Sequence, residues 1–524
     1  MKKITALFFL IFLASFLTAQ NRYLVYLSDK GNQEYLNIED VLSERAIHNH
    51  TKNNVAFSHS DFPVNPNYIN QLNEVGQVVK KSKWLNAVVF ETTYSAQQIA
   101  DFSFVQKIEM LETGKIYKND KFKALEELNQ QKTLPYDSTF IQNTQIGVDC
   151  MHDKGFLGEN VLLAVIDAGF QGMDTILAFD SLYLQNRVID KYDFIDNDTN
   201  VYEKHFHGTW VSSVIAGNQT NFIGSAPHVN LCLYITEDVS REVHEEEFDL
   251  VRGLERADSV GADLVNISLG YVTFDTLEGD YAYADMDGRT TIAAKGIQVA
   301  TSKGLLIVSS AGNRGPDFIG TPCDADSILC VGATDGNNIR ASFSSIGPSA
   351  DGRVKPDVAA VGSNGFCVDT DGTIRRCNGT SFSSPLVCGM VACLIQSHPN
   401  LTMLEVVEAV RQSGHQYLSP DSLMGYGIPN ACKADSILDL LEVSVKEITK
   451  PNAFNLYPNP SNDFITINAS ATIYSVSIYS VDGKVLKQID NTNSKSIVIT
   501  ISDFPKGIYV VKVNQNSFKR LVKY

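Results

Sequence analysis

What the chain lacks narrows it first. Its 524 residues contain no Cys-x-x-Cys pair and no grouping of cysteine with histidine, which argues against a zinc module. After residue 20, no uninterrupted apolar run reaches the length of a membrane-spanning helix. There is no basic surplus. Lys and Arg number 43 against 60 Asp and Glu, a net charge of -17, which argues against nonspecific nucleic-acid binding. Cysteine is sparse: nine residues are too few for a disulfide-built scaffold, and the odd total leaves at least one thiol unpaired. Hydrophobic (44 %) and charged (20 %) fractions are ordinary, and the length allows several domains with a large core.

Residues 1–19 carry Lys2 and Lys3, an apolar run over 6–17 and the small-residue ending Thr18-Ala19. This is the pattern of a signal peptide cut after Ala19, and it places the mature protein where disulfides are permitted. Cys388, Cys393 and Cys232 lie in apolar runs and read as buried thiols. Cys367/Cys377 and Cys323/Cys330 are short-loop pairs that could close disulfides.

Residues 20–115 alternate as strand (22–27), helix (38–49), strands (75–80 and 87–92), helix (95–102) and strand (105–111). That β-α-β-β-α-β order is ferredoxin-like. A polar connector over 116–137 follows. From 138 to 443, apolar strand-like runs (161–166, 231–235, 263–267, 305–308, 328–331) alternate with helix-like segments (208–216, 245–259, 288–303, 385–397). Continuous apolar strands between helices predict a doubly wound parallel α/β sheet, whose ligands bind at the carboxyl ends of the strands. After a linker over 444–454, residues 455–524 read as short alternating strands (464–468, 475–479, 484–488, 497–501, 508–513, 520–524) with a turn at Asp482-Gly483, a small all-β sandwich.

Four polar stations interrupt the apolar pattern of the body. Asp167 ends a strand in Ile166-Asp167-Ala168-Gly169, and His207 opens the helix-like Gly208-Thr209-Trp210-Val211. Asn313 sits in Ser310-Ala311-Gly312-Asn313-Arg314-Gly315, just past a strand. Ser381 lies in Asn378-Gly379-Thr380-Ser381-Phe382-Ser383-Ser384-Pro385, which predicts a tight turn into a buried helix with Pro385 in its first turn. Singly, each has an ordinary alternative as a turn or cap residue. Together they supply what acyl transfer needs: a hydroxyl nucleophile, an imidazole base, a carboxylate that orients it and an amide donor for the oxyanion.

The segments AVIDAG (164–169), HGTWV (207–211), NISLG (266–270), SAGNRG (310–315) and NGTSFSSP (378–385) resemble, in order and spacing, the motifs of the subtilisin-like serine peptidases. The resemblance implies a secreted serine endopeptidase made as a zymogen, with Asp167, His207 and Ser381 as triad. It implies Asn313 and the Ser381 N–H as oxyanion donors. Ser268, Leu269 and Gly270, with Ala311 and Gly312, would bind a protein or peptide substrate. Trp210, Ala168 and Phe382 depart from the residues commonest in the family, beside the chemistry rather than on it.

Residues 20–115 resemble the subtilase pro-domain of the Bacteroidetes, which would inhibit its own enzyme. Residues 455–524 resemble the sorting domain of the type IX (Por) secretion system through Tyr457-Pro458-Asn459-Pro460, 481–485, 507–511 and the basic Lys519, Arg520 and Lys523. These imply export to the cell surface or the medium by that machinery. No cofactor is required for the chemistry. The family often holds structural calcium, and no motif here locates a site. Asp369-Thr370-Asp371-Gly372 reads as a hairpin turn, and Glu245-Glu246-Glu247 as the acidic first turn of a solvated helix. The rival from another class is a catalytically silent subtilase-fold surface binding protein. An α/β-hydrolase esterase is disfavoured because Ser381 lacks a Gly-x-Ser-x-Gly setting.

Overall fold

The computed structural model describes residues 21–31, 37–111, 138–275, 279–447, 454–480, 484–514 and 517–524. The signal peptide, the connector 116–137 and the Asp482-Gly483 turn expected above lie outside them.

The body is organised by strand β5 (Leu162–Asp167). With β6 (Val188–Asp193), β7 (Asn230–Ile235), β8 (Leu264–Ile267), β9 (Leu306–Ser310), β10 (Leu329–Thr334) and β11 (Val358–Val361), it forms a parallel sheet. The order is β11-β10-β9-β8-β5-β7-β6. Every residue of β5 is buried because side chains alternate between two covered faces. Leu163 and Val165 face the core built with helices α4 (His207–Ala216) and α7 (Thr380–Ser397). Leu162, Ala164 and Ile166 face α5 (His244–Val260) and α6 (Ile292–Ser302). Strands β6 and β7 lie on one side of β5 and β8 to β11 on the other, so the sheet's switch point lies at the carboxyl end of β5. Among the described residues only Thr380–Ser397 is long and apolar enough to cross a membrane, and it is a buried core helix.

Residues 21–111 fold as the expected ferredoxin-like unit. Strands β1 (Asn21–Leu27), β2 (Gln77–Ser82), β3 (Ala87–Thr92) and β4 (Val105–Met110) form an antiparallel sheet in the order β2-β3-β1-β4. The first crossover helix is not the expected 38–49. It is α2 (Pro66–Asn73), started by Pro66 at its first position and by the Asn65 side chain, which accepts the Asn67 N–H at 2.9 Å. The stretch expected to supply it ends instead in α1 (Glu44–Lys52), which docks on the body. Tyr23, Val25, Val88 and Phe90 pack under α2 and α3 (Ala96–Ala100). The alternate residues Leu24, Ala87 and Val89 join the core of α5 and α6.

That docking corrects the expectation for Glu245, Glu246 and Glu247. The helix turn they occupy is covered, and all three are buried. Glu245 pairs with Arg22 and Lys80, and Lys80 also pairs with Asp249. Burial alone would raise the Glu245 carboxyl, yet Lys80 and Arg22 together hold it at about 2. Burial dominates at Asp249 and Glu255 and pushes both upward. Removing one partner of a buried pair costs about 3–5 kcal/mol. Lys80→Ala should fall at the low end, about 3 kcal/mol, because Arg22 and Arg252 still face the two carboxylates. A urea titration of the uncleaved protein checks this, and an unchanged midpoint would rule the pair out as a clamp.

The C-terminal unit is all-β, but four of the expected short strands are two long ones. Strands β15 (Phe464–Ser480) and β16 (Val485–Thr500) pair along their length, with register shifts between Asn468 and Ser475 that let one strand serve both halves. Strand β14 (Phe454–Tyr457) flanks the first half of β15, and β17 (Gly507–Val513) with β18 (Ser517–Lys523) the second. This unit packs on helices α8 (Met403–Ser413) and α9 (Ala431–Glu447), with an Arg520–Glu405 ion pair to α8 and the hydroxyl of Tyr417, just past α8, donating to the Lys506 carbonyl at 3.2 Å. Helix α9 runs past residue 443 into the stretch expected to be linker.

Disulfides join Cys323–Cys330 and Cys150–Cys432. The other candidate pair, Cys367 and Cys377, stays as two buried thiols. In the hairpin of β12 (Gly365–Val368) and β13 (Ile374–Cys377), Cys367 faces Arg375 and Cys377 faces Gly365, so the cysteines are not directly opposed. Cys232, Cys388 and Cys393 are buried free thiols, as their apolar settings predict.

Candidate active site

Asp167 is the last residue of β5 and is fully buried, at 0 % exposure. Its Oδ1 accepts two hydrogen bonds of 2.8 Å, from the Ala168 N–H and from His207 Nδ1. A carboxylate there makes Nδ1 the protonated nitrogen of the ring and leaves Nε2 as the basic one. His207 is the first residue of α4. The helix can start there because Gly208 N–H bonds the Gly169 carbonyl at 2.9 Å. A Cβ on Gly208 would lie 2.4 Å from that same oxygen.

Ser381 is the second residue of α7 and is 8 % exposed. The helix begins five residues ahead of Pro385 rather than at it, which corrects the placement of that proline in the first turn. Proline has no N–H to give to the carbonyl four residues back, and that carbonyl belongs to Ser381. The Ser268 hydroxyl donates to it instead, at 3.1 Å. Ser268 is in turn the acceptor for Asn266 Nδ2 at 3.0 Å, and Asn266 Oδ1 accepts the Ser384 hydroxyl at 2.8 Å. A chain of four hydrogen-bonding side chains and backbone groups thus ties the end of β8 to the turn that holds Ser381.

Asn313 follows β9 by three residues. Its Oδ1 accepts both the Thr380 N–H at 2.8 Å and the Thr380 hydroxyl at 3.0 Å. With the oxygen so held, the amide NH₂ is the end available to a ligand. Gly312 stands just before it with φ +101, a left-handed conformation that only glycine adopts without strain, and its N–H donates to Thr380 Oγ1 at 3.1 Å. His207, Ser381, Asn313, Ser268, Leu269, Gly270, Ala311 and Gly312 line one cleft, with Asp167 beneath. All nine expected site residues are therefore assembled at the carboxyl end of the sheet.

Residues 158–427, about half the chain, match the model of the Subtilase family. The chain is a subtilase. Residues 22–127 of this subtilase match the peptidase S8 propeptide domain of Bacteroidota, and 455–524 the secretion system C-terminal sorting domain. It is 25 % identical over 382 residues to a thermostable alkaline protease of Halalkalibacterium halodurans, spanning 71 % of this chain and 95 % of that protein. It is 30 % identical over 294 residues to a subtilisin of Bacillus pumilus, spanning 55 % and 95 %. Among solved structures, MycP1 from Mycobacterium smegmatis aligns with a TM-score of 0.46 at 22 % identity, over 58 % of this chain and 86 % of that one. The subtilase is a serine endopeptidase, made as a zymogen with a propeptide and exported by type IX secretion.

Two aromatic departures in this subtilase pack against each other. Trp210 and Phe382 have ring centroids 6.3 Å apart, and Phe382 lies 6.1 Å from the His207 ring. Trp210 Nε1 donates to Asp369 Oδ1 at 2.9 Å, and Arg375 stacks over the indole while pairing with Asp369. Asp369 and Asp371 both receive backbone N–H groups of their own hairpin, from Thr370 and Thr373, as the turn assignment requires. Sequence reasoning missed Thr380, Ser384 and the Trp210–Asp369 bond. Only Pro385, four residues past Ser381, signalled in advance that the Ser381 carbonyl needed an outside donor. Among the described residues, two buried or half-buried groups bring three metal-ligating side chains together: His50/Asp61/Asp258 and Glu237/Glu242/Glu246. The first already receives Lys303 Nζ, 2.6 Å from Asp61.

Proposed function

We propose that this endopeptidase cleaves proteins and peptides through an acyl-enzyme formed on Ser381. The substrate backbone adds as a strand along Ser268–Gly270 and places its carbonyl over the Ser381 hydroxyl. His207 Nε2 takes the hydroxyl proton as the oxygen attacks. Asn313 Nδ2 and the Ser381 N–H receive the oxyanion, and the Asp167 carboxylate stabilises the imidazolium. The imidazolium then protonates the leaving amine, and water releases the acyl group by the reverse route. The chemistry draws on no cofactor. The observation that carries the reading is the His207–Asp167 hydrogen bond of 2.8 Å in the same cleft as Ser381 and Asn313.

A fluorophosphonate probe should attach once to the mature enzyme, and mass mapping should place it on the peptide containing Ser381. Attachment elsewhere, or none, would sink the mechanism and leave the fold as a binding scaffold.

A further inference from the structure

Among the described residues, four charged or ionisable side chains line the cleft: His207, Arg314, Glu237 and Glu242. His207 is committed to the chemistry above. The two glutamates and the arginine lie on opposite flanks of the substrate edge. Arg314 follows Asn313 past the end of β9, on one side of β8, whereas Glu237 follows β7, beyond β5 on the other side. Glu237 accepts the hydroxyl of Tyr271, whose phenol burial and the Glu237 charge hold well above its usual range, so that it acts as a donor.

Arg314 has no such complement. Among the described residues it takes part in no ion pair, and its Nη1 is buried without a hydrogen-bond acceptor. Its backbone N–H is fixed by Ser345 Oγ at 3.2 Å, and its guanidinium lies 5.0 Å from the centre of the Phe318 ring. Arg411, half-buried elsewhere in the chain, meets the Asp357 carboxylate at 2.7 Å. A guanidinium cannot shed its proton, so a buried N–H without a partner is costly until an acceptor arrives. A carboxylate is the acceptor that fits its fork.

Position decides which substrate residue would bring it. Asn313 marks the scissile carbonyl, and Arg314 is the next residue. Gly270, Gly312 and Gly320 line the same cleft and contribute no side chain, leaving room for one from the substrate. Resting on the protease reading above, we propose that Arg314 selects substrates whose scissile carbonyl belongs to Asp or Glu. Glu237 and Glu242 oppose a second acidic side chain at the other flank.

Three internally quenched peptides, identical except for Glu, Gln or Lys at the scissile residue, test this on the mature wild-type enzyme, Arg314→Glu and Arg314→Lys. A charge-assisted hydrogen bond supports a kcat/KM ratio of about tenfold to a hundredfold for Glu over Gln, with Lys lower still. Arg314→Glu should invert the Glu-to-Lys order, Arg314→Lys should keep the order at a smaller ratio, and 1 M salt should shrink the wild-type preference. Equal cleavage of the Glu and Lys peptides by the wild type, or an order unchanged in Arg314→Glu, overturns the proposal. If the probe labels Ser381 but none of the peptides is cut, cleavage sites mapped in a denatured protein digest give the same ratio. Failure of the probe to label Ser381 removes the protease reading and this inference with it; a labelled enzyme indifferent to charge removes this inference alone.

Discussion

Ser381→Ala should lower peptide hydrolysis by about 10⁶-fold, the scale known for loss of the nucleophile in a subtilisin. The substitution removes one buried oxygen, and the Ser381 backbone contacts do not depend on it, since the Ser268 hydroxyl bonds the carbonyl of that residue. The fold should therefore survive. Because the serine and the histidine act as one unit, adding His207→Ala should cost almost nothing more. Intact mass of the secreted protein offers a second readout. If this chain matures itself, the wild type sheds its propeptide and Ser381→Ala retains it. Turnover within tenfold of wild type would end the assignment of Ser381 as nucleophile.

Asp167→Asn should cost about 10⁴ in kcat while leaving KM nearly unchanged. The geometry offers an amide two poor choices. With its oxygen in the place of Oδ1 it still accepts the Ala168 N–H and His207 Nδ1, but its NH₂ then occupies the site of Oδ2, which has no protein partner in a fully buried position. Turned over, the NH₂ faces Nδ1 and forces the ring into the tautomer whose Nε2 carries the proton, which cannot accept one from Ser381. It also abandons the Ala168 N–H. Either way the positive charge on the imidazolium loses its counter-ion. The pH profile separates this from a structural defect, since activity should recover at high pH as hydroxide substitutes for the base. A Tm drop without that recovery would show that Asp167 only holds the fold.

The doubly wound sheet and the active-site residues were legible because each is local in sequence. Strand β5 is a six-residue apolar run ending in Asp167, and Asn313 and Ser381 stand in short glycine-containing turns. What was not legible depends on surfaces that meet only after folding. Glu245, Glu246 and Glu247 have the composition of a solvated turn, and nothing in their spacing announces that Lys80 and Arg22 arrive from a separate domain. Helix α2 was missed because its start signal, Asn65-Pro66, sits in a stretch whose polar residues look like loop. The tail strands β15 and β16 are continuous across the polar residues near 468–475 because a register shift, invisible to period-two counting, carries the strand around the bend. Cys150 and Cys432 are 282 residues apart and share no sequence pattern.

That last bond has a bearing on how the enzyme ages. Cys150 lies near the beginning of the catalytic body and Cys432 on its last helix, so the polypeptide between them is a closed ring. An endopeptidase at high local concentration attacks its own loops. A single nick anywhere in that ring opens it without separating the pieces, and the fragments remain one covalent molecule that can hold its shape. Only a reductant, or a second cut, turns such damage into loss, so the lifetime of the secreted enzyme is coupled to the redox poise of its surroundings as well as to its own appetite.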